Sequence, residues 1–444
     1  MKKTNWRAAS VLLALCIALT SVFGLYSCSS PASETKNSYS GITSARLNER
    51  GELIVSYSDG REQNLGAVSN EGTTINIENQ DSSIASATSK GLASAVSITA
   101  NFEKTYQNSY GGFFPGFGSG GTTTTPYTAE GSGVIYKLDR DTGSAFIITN
   151  YHVVYDKSSD AKDGISENIQ VFLYGGEEEG YAIPAEYVGG SLYYDIAVLY
   201  VENCAALKNS AHNAPVIADS ENVAVGTTAI AIGNPEGYGI SASLGIVSVN
   251  SEYIAMTAAD GASTVSFRVM RVDTAVNSGN SGGGLYNDRG ELIGIVNAKI
   301  VDSTVENIGY AIPSNVASAV ADNIIDNCFG KDSKSVMRAV LGVTLTSSDS
   351  IAVIDGELGM IKVKETVSVA EVVAGSVADG KLMVGDVLKS ATLGDATVEI
   401  TRRHHVIDLM LDARVGDVVK LSVVRDGKEM TVEITVTEAA IIAY

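Results

Sequence analysis

The sequence has too few basic residues for a nucleic-acid-binding protein. Its 444 residues include 31 Lys and Arg against 51 Asp and Glu, which gives a formal net charge of -20. Binding to phosphates needs a basic face, and the only clustered basic residues, Lys2, Lys3 and Arg7, stand at the extreme N-terminus. The composition therefore excludes a nucleic-acid partner, and the excess of acidic residues favours solubility.

Cysteine is also scarce, with four in the whole chain. Cys16 and Cys28 lie in the N-terminal segment, so only Cys204 and Cys328 belong to the folded part, and whether these two pair stays open. No CxxC pair and no His/Cys cluster indicates a metal site. The glycine-rich stretches "GNSGGG" and "GNPEG" lack the lysine of a phosphate-binding loop. We therefore expect no cofactor.

Long apolar runs are missing except at the N-terminus, which has the pattern of an export signal. Three basic residues precede an apolar run from Ala8 to about Leu25. The next residues complete "LYSC", which resembles a bacterial lipobox and predicts a lipid on Cys28. The alternative is an uncleaved membrane anchor, because the run is close to the length that spans a bilayer. In both cases residues 1–28 hold the protein at the extracytoplasmic face of the cell envelope.

The segments that follow predict a tether and a small appendage. Residues 29–45 are rich in serine and indicate a polar tether. Within residues 46–80, Asp59-Gly60 stands between two β-prone runs, which is a strong hairpin signal. Further on, a Gly/Thr-rich loop carries Phe113, Phe114 and Phe117. Exposed aromatic side chains are costly, so we expect this loop to dock on a partner or a neighbouring subunit.

Two folded domains are predicted after the appendage. Over residues 85–330, many short apolar strands are separated by Gly, Asn, Asp and Ser turns, which favours an all-β sandwich or pair of barrels. A helical period over 312–330 ends this domain, with Ser314 as the expected cap. A short polar linker then opens a second domain at 337–440.

One serine in the first domain stands in a setting that suits a nucleophile. Ser281 lies within "GNSGGG", and an alcohol at neutral pH needs a base to activate it. His152 directly follows the strand "AFIIT", and Asp195 begins another strand, where its burial requires a partner. Each residue alone is more often structural. Their order of His, Asp and Ser is the order of the chymotrypsin-like arrangement, on a chain that independently indicates an all-β fold.

The segments around these residues resemble the HtrA/DegP family of secreted serine proteases. The motifs "TNYHVV", "DIAVL", "GNSGGGL", "GELIGI" and "IGYAIPS" occur in the family's order over about residues 90–325. The resemblance implies a chymotrypsin-like double β-barrel. It also implies that His152 is the general base and then acid, that Asp195 fixes the histidine tautomer, and that Ser281 attacks the peptide carbonyl.

The same resemblance assigns the residues that surround the reacting carbonyl. The oxyanion hole is expected at Gly279, Asn280 and Ser281, with the N–H groups of Gly279 and Ser281 as donors. Val276 and the segment Asn297, Ala298 and Lys299 are expected beside the P1 side chain, and Val276 favours small aliphatic residues there.

Two positions in the nucleophile loop depart from the family pattern. The family often has Pro where this chain has Ser278, and Pro or Ala where it has Gly284. Both changes predict a looser loop that a ligand or assembly would order.

The second domain resembles a PDZ domain. The resemblance is carried by "AGSVADGKLMVGDVLKSA", by "VGDVVKLSVVRDGKEMTVEITV" and by one apolar helix face, Val406, Leu409, Met410 and Ala413. It implies a loop at Leu341, Gly342 and Val343 that holds a peptide carboxylate. His404 and His405 are expected to be exposed at the start of the helix. The alternative is a plain α/β packing domain.

Taken together, these features predict an ATP-independent serine endopeptidase of the cell envelope that acts on misfolded or damaged exported proteins. Its expected partners are unfolded polypeptides, peptide C-termini and the membrane. The family resemblance implies a homotrimer, to which Phe113, Phe114 and Phe117 would contribute. The alternative function is a chaperone-like or scaffold protein that binds unfolded chains without turnover.

Overall fold

The structure is a computed structural model that describes residues 42–47, 52–57, 61–67, 84–108, 121–176, 179–298, 308–355 and 359–443. The chain divides into two compact units, residues 1–79 and 80–444. The predicted signal with Cys28, the three loop phenylalanines and Lys299 lie outside the described residues. Within the described part, no helix is both long and apolar enough to cross a membrane.

The first unit contains a three-stranded antiparallel sheet in the order β1-β2-β3. Its strands are β1 (Ile42–Leu47), β2 (Glu52–Tyr57) and β3 (Glu62–Ala67). The β2 and β3 strands, which flank the Asp59-Gly60 pair, are antiparallel, with Val55 opposite Gln63.

The second unit begins with a helix, α1 (Ile84–Leu92), which the sequence patterns did not predict. It is followed by a closed six-stranded barrel, barrel 1, in the order β4-β5-β6-β9-β8-β7. Its fully buried side chains are mostly β-branched, as suits strands that pack on both neighbours. The strands are β4 (Ala95–Asn108), β5 (Gly121–Asp139), β6 (Ser144–Thr149), β7 (Asn168–Leu173), β8 (Ile183–Ser191) and β9 (Ile196–Val201).

A second closed barrel, barrel 2, follows in the order β10-β11-β12-β15-β14-β13. Short helices α2 (Tyr151–Val154) and α3 (Ala205–Asn209) lie earlier in the chain, within and just after barrel 1. The strands of barrel 2 are β10 (Thr228–Gly233), β11 (Ser241–Thr257), β12 (Thr264–Val272), β13 (Gly284–Tyr286), β14 (Leu292–Val296) and β15 (Gly309–Pro313). The expected mainly β fold with two barrels is therefore confirmed.

The helix that was predicted over 312–330 is α4 (Ser314–Cys328). Its predicted apolar face is buried at Val316, Val320 and Ile324. The expected cap is wrong, because Ser314 Oγ donates to the Ala218 carbonyl at 2.7 Å and makes no capping hydrogen bond. The hydroxyl thus ties the start of the helix to the segment before barrel 2.

The last part of the chain, here called the C-terminal body, has its own apolar core. Its main sheet has the order β17-β18-β19-β21-β22, with β20 paired to β19 and with β17 at one edge. A separate pair joins β16 (Met337–Ala339) to β23 (Ile441–Ala443). The remaining elements are β17 (Val343–Ile354), β18 (Ile361–Val372), β19 (Val387–Leu393), β20 (Ala396–Glu399), helix α5 (Arg403–Asp412), β21 (Val418–Arg425) and β22 (Lys428–Thr435).

A charged cluster joins the C-terminal body to barrel 2. Arg268 of β12, which is 3% exposed, pairs with Glu221 and, at 2.6 Å, with Asp408 of α5. His404 Nε2 and His405 Nε2 lie 3.1 and 3.2 Å from Glu221 Oε2. The expectation that both histidines are exposed is wrong: His404 is buried and His405 is partly buried. They meet a carboxylate that is 184 residues away in sequence from His405, so no local pattern could reveal the contact.

Two groups of this cluster respond to acid in opposite directions. Burial lowers the pKa of His404 to about 4, so its contribution to stability is complete above its ordinary pKa of 6.5 and is lost as the pH falls towards 4. Burial raises the pKa of Asp408 to about 6, so its contribution is complete below 3.8 and is lost as the pH rises through 6. The pKa of Glu221 is lowered despite its burial, because both histidines and Arg268 favour its charged form. Its contribution to stability is therefore complete above about 4.5 and is lost only as the pH falls below that value. The first two contributions offset each other between pH 6.5 and 4.

We expect Asp408→Asn to make the protein sensitive to acid, because asparagine removes the group that offsets His404. Between pH 7 and 4.5 the free energy of unfolding should fall by about 2 kcal/mol more in this variant than in the unmodified protein. Urea denaturation followed by circular dichroism at both pH values measures the difference. His404→Gln is the matched variant and should gain stability at acid pH relative to the unmodified protein. Parallel pH profiles for all three proteins would contradict the assignment.

Candidate active site

The three residues of the predicted catalytic group come from both barrels. His152 lies on α2, directly after β6, and Asp195 stands just before β9, so both belong to barrel 1. Ser281 lies in the turn that precedes β13 of barrel 2. The structure joins the two halves directly, since the Ser132 N–H of β5 donates to the Ser281 carbonyl at 2.8 Å. The candidate site is thus at the contact between the barrels.

Asp195 holds His152 through two hydrogen bonds. His152 Nδ1 lies 2.7 Å from Asp195 Oδ2, and the His152 backbone N–H donates to Oδ1 at 3.0 Å. Because a carboxylate accepts hydrogen bonds, Nδ1 carries the proton and Nε2 is left as the basic nitrogen. The carboxylate thereby selects the tautomer that a general base requires.

The backbone of Asp195 is also fixed by the segment that carries the histidine. Its φ of 52° is unusual for a residue other than glycine. The Asp195 carbonyl accepts from Asn150 Nδ2 at 2.8 Å and from the Tyr151 N–H at 3.2 Å. These contacts hold a strained residue in place, as is typical of functional sites.

Asn297 has a different position from the one that the sequence suggested. It was expected beside the substrate, but its side chain is fully buried and Nδ2 donates to Asp195 Oδ2 at 2.7 Å. Asp195 Oδ2 therefore accepts from both His152 and Asn297. Asn297 is a positioning residue for the carboxylate, and its neighbour Ala298 is the one that reaches Ser281.

The Ser281 hydroxyl is held by the backbone of barrel 2. Its Oγ accepts from the Ala298 N–H at 3.1 Å. Across the part of the chain that the structure describes, no hydrogen bond joins Ser281 Oγ to His152. Catalytic hydrogen bonds are often long in the absence of substrate and tighten when it binds. Attack requires the hydroxyl to donate its proton to His152 Nε2, which it can do while its oxygen still accepts from the Ala298 N–H.

The turn before Ser281 presents two free amides. Gly279 has a φ of 91°, a conformation that favours glycine, and a Cβ there would lie 2.2 Å from the Asn234 carbonyl oxygen. Among the described residues, the N–H groups of Gly279 and Ser281 donate to no protein acceptor. The N–H of Asn280 instead donates to the Asn277 carbonyl at 3.0 Å. Asn280 was included in the predicted oxyanion hole, but its backbone N–H is already hydrogen-bonded and is not available to an oxyanion.

Ser132 anchors this turn from the other barrel. It is fully buried, and its Oγ donates to the Gly279 carbonyl at 2.6 Å while accepting from the Asn234 N–H at 2.8 Å. Ser132 was not among the predicted site residues. The only signal for it was a serine between two glycines, "GSG", within a predicted strand.

The two positions that depart from the family pattern each have a defined contact in the structure. The Ser278 carbonyl accepts from the Glu236 N–H at 2.9 Å. At Gly284, a Cβ would lie 2.4 Å from the Tyr286 ring, so the missing side chain makes room for a buried tyrosine. That a ligand or assembly orders this loop stays a prediction.

The remaining predicted substrate-binding residues fall into two places. Val276 is buried, and a Cβ on Gly309 would lie 2.6 Å from its Cγ2, so space beside Val276 is small. Leu341, Gly342 and Val343 belong to the C-terminal body and line a groove there. They are not part of the group around Ser281.

One cluster of possible metal ligands occurs among the described residues, at Glu221, His404 and His405. His405 Nδ1 accepts from the Thr401 N–H at 3.2 Å, so its Nε2 carries a proton and donates to Glu221. A proton at Nε2 and the neighbouring Arg268 both disfavour a cation. The cluster is better described as a hydrogen-bonded ion network.

Comparisons with known proteins agree with this geometry. Residues 131–295 match the trypsin-like peptidase domain family. The chain is 32% identical over 389 residues to serine protease Do-like HtrA of Lactococcus lactis subsp. cremoris, covering 84% of this chain and 86% of that one. It is 31% identical over 318 residues to the periplasmic pH-dependent serine endoprotease DegQ of Escherichia coli, covering 70% of this chain and 60% of that one. A solved structure, HtrA-type protease AlgW with a decapeptide, is 25% identical and superposes with a TM-score of 0.50, covering 80% of this chain and 98% of that one.

Proposed function

Because the chain belongs to the HtrA family and is a serine endopeptidase, we propose that it degrades misfolded or damaged exported proteins at the extracytoplasmic face of the cell envelope, without ATP. The observation that carries the catalytic assignment is the His152–Asp195 pair on one barrel together with Ser281 and two free amides on the other. The relatives are named as proteases, which favours turnover over the alternative of a chaperone that only binds.

The proposed reaction begins when an unfolded segment places its carbonyl carbon next to Ser281 Oγ. His152 Nε2 takes the hydroxyl proton as Oγ attacks, and Asp195 stabilises the resulting imidazolium. The carbonyl oxygen becomes an oxyanion and accepts from the Gly279 and Ser281 N–H groups, each of which contributes about 3 kcal/mol in comparable sites.

Collapse of this intermediate breaks the peptide C–N bond. His152 gives its proton to the leaving amine, and an acyl ester remains on Ser281. A water molecule, deprotonated in turn by His152, then attacks the ester and releases the new carboxylate. No step requires a metal or a nucleotide.

We also propose that small aliphatic residues occupy the P1 position. Val276 and Gly309 lie in contact distance of each other, which limits the room for a side chain between them. A pocket of limited size discriminates between substrates by roughly 1–3 kcal/mol for each methylene group by which their side chains differ.

For the C-terminal body we propose a PDZ domain that binds peptide C-termini. An edge strand, β17, follows directly on the Leu341–Gly342–Val343 loop, and α5 lies alongside. Such domains add an extended peptide to a sheet edge and hold its carboxylate with loop amides. The similar AlgW structure contains a decapeptide.

The proposals for assembly and anchoring rest on the sequence. Membrane attachment would use the N-terminal segment with Cys28, either through a lipid or as a single span. A homotrimer would use Phe113, Phe114 and Phe117, since exposed aromatic clusters are typical of interfaces.

Cleavage of casein, with mass mapping of the products, tests the proposed function. We expect ATP-independent fragments that end in Val, Ala or another small aliphatic residue, and faster cleavage of a reduced and unfolded protein than of its native form. Fragments that appear only with ATP, or cleavage of the native and unfolded forms at equal rates, would contradict the proposal.

A further inference from the structure

The groove of the C-terminal body is open along an edge of β17 that pairs with no other described strand. It has a volume of about 400 Å³ and lies between the β17 edge and helix α5. Its floor is apolar, formed by Leu345 of β17 and by Val406, Ile407 and Met410 of α5. A strand edge beside an apolar floor suits an extended peptide, because the backbone pairs with β17 while alternate side chains enter the groove.

Two contacts place the last turn of α5 beside β16, the strand that precedes the Leu341 loop. Asn323 Nδ2 is 2.7 Å from the Met337 carbonyl and 3.4 Å from the Leu411 carbonyl. The last turn of α5 therefore lies near the start of β16, the strand that leads into the Leu341–Gly342–Val343 loop. A carboxylate held in this loop would place the last peptide side chain towards Met410.

The start of α5 lies towards the opposite end of β17. The Glu365 N–H donates to the carbonyl of Thr401, two residues before α5. Glu365 stands in β18 opposite the middle of β17, because its neighbour Thr366 pairs with Ser348, whereas Val343 pairs with Val372. A peptide that runs antiparallel to β17 thus has its upstream residues near the first turn of α5.

Arg403 occupies that first turn and lines the groove. It is exposed, and no ion pair or hydrogen bond of its guanidinium is found among the described residues. Its neighbour Arg402, by contrast, donates to the Ser251 carbonyl. Arg403 is therefore a cation available to a ligand in the groove.

We propose that the groove selects peptide C-termini that carry an acidic residue about three positions before an apolar last residue. Arg403 binds the carboxylate of this acidic residue. The spacing follows from the helix: Arg403 precedes Met410 by seven residues, or about 10 Å at 1.5 Å per residue, which three extended residues span. A carboxylate and a guanidinium form a strong, often bidentate pair. The proposal rests on the proposed peptide-binding function of this domain.

The protease part also contributes to the groove wall. Tyr253 of β11 and Ser266 of β12 line the same groove as Arg403. A bound peptide would therefore contact both the C-terminal body and barrel 2. The test accordingly uses the full chain.

Fluorescence polarisation with the full chain carrying Ser281→Ala, which prevents cleavage, measures this selectivity. The probes are fluorescein-labelled decapeptides that end in Xaa-Ala-Ala-Leu with a free carboxylate, where Xaa is Glu, Gln or Lys. We expect the Glu peptide to bind about fivefold more tightly than the Lys peptide, the ratio of a single exposed ion pair. Adding Arg403→Glu should reverse the order of the Glu and Lys peptides.

Lys428→Glu, at the exposed first residue of β22, changes the net charge equally and should leave the order unchanged. Two outcomes would overturn the role of Arg403 while leaving the proposed peptide-binding function in place: a preference for the Glu peptide that survives Arg403→Glu, or free-acid peptides that bind without any charge preference. Equal, weak binding of the free-acid and C-terminally amidated peptides would overturn the proposed peptide-binding function as well.

Discussion

Replacing Ser281 with alanine should abolish peptide hydrolysis, with kcat/KM lowered by about 10⁴-fold or more. Alanine removes the only atom that can form the acyl ester, while Gly279 and the backbone of the turn stay in place. The fold should survive, because among the described residues the lost hydroxyl has one hydrogen bond, from the Ala298 N–H, and such a bond contributes about 1 kcal/mol. Casein cleavage and labelling by a fluorophosphonate probe measure the loss, and circular dichroism checks the fold.

Ser278→Ala is the matched control for this experiment. Ser278 is exposed, three residues before Ser281, and its role in the turn is through its backbone carbonyl. Its alanine variant should therefore keep both activity and labelling. Fluorophosphonate labelling that persists in Ser281→Ala would place the nucleophile elsewhere in the chain.

Replacing Arg268 with methionine should destabilise the protein by about 3 kcal/mol. The guanidinium is 3% exposed and pairs with both Glu221 and Asp408, so methionine leaves two carboxylates facing each other without their shared cation. Removing one partner of a buried ion group is costly because the remaining charges stay desolvated. The free energy of unfolding from urea titrations at pH 7, followed by circular dichroism, measures the effect.

Two further variants separate this effect from a general loss of packing. Lys420→Met removes an exposed ion pair with Glu433 and should change the free energy of unfolding by less than about 0.5 kcal/mol. Adding Glu221→Gln and Asp408→Asn to Arg268→Met removes the uncompensated charges and should restore much of the lost stability. A triple variant as unstable as the single one would show that charge pairing is not the cause.

Much of the fold could be predicted because its signals are local. Short β-branched runs between turn residues predicted the strands of both barrels, and a helical period predicted α4 within two residues at each end. Helix α1 was missed, since six of its nine residues are Ser, Thr, Ala or Gly and the two that it buries, Ala87 and Gly91, are small. The Ser314 cap failed because a distant carbonyl, that of Ala218, competes for the hydroxyl.

Some residues of the candidate site could likewise be predicted from local motifs, and others could not. His152, Asp195 and Ser281 could be identified because each lies in a motif whose chemistry is recognisable, and the structure brings His152 and Asp195 within 2.7 Å. Asn297 acts through its contact with Asp195, which is 102 residues away in sequence. Ser132 acts through its contact with Gly279, which is 147 residues away. Neither contact leaves a pattern in the neighbouring sequence.

The sequence by itself determined the chemistry of this protein: which serine can attack, which histidine can take its proton and which glycine can free the amides beside it. Those properties follow from residue type and from the conformations each residue allows. Only the tertiary structure decided that Asn297 serves Asp195, that the amide of Asn280 is already engaged, and that His404 is buried against Glu221. Such roles depend on which distant groups meet when the barrels close, and burial and pairing are properties of the packed chain.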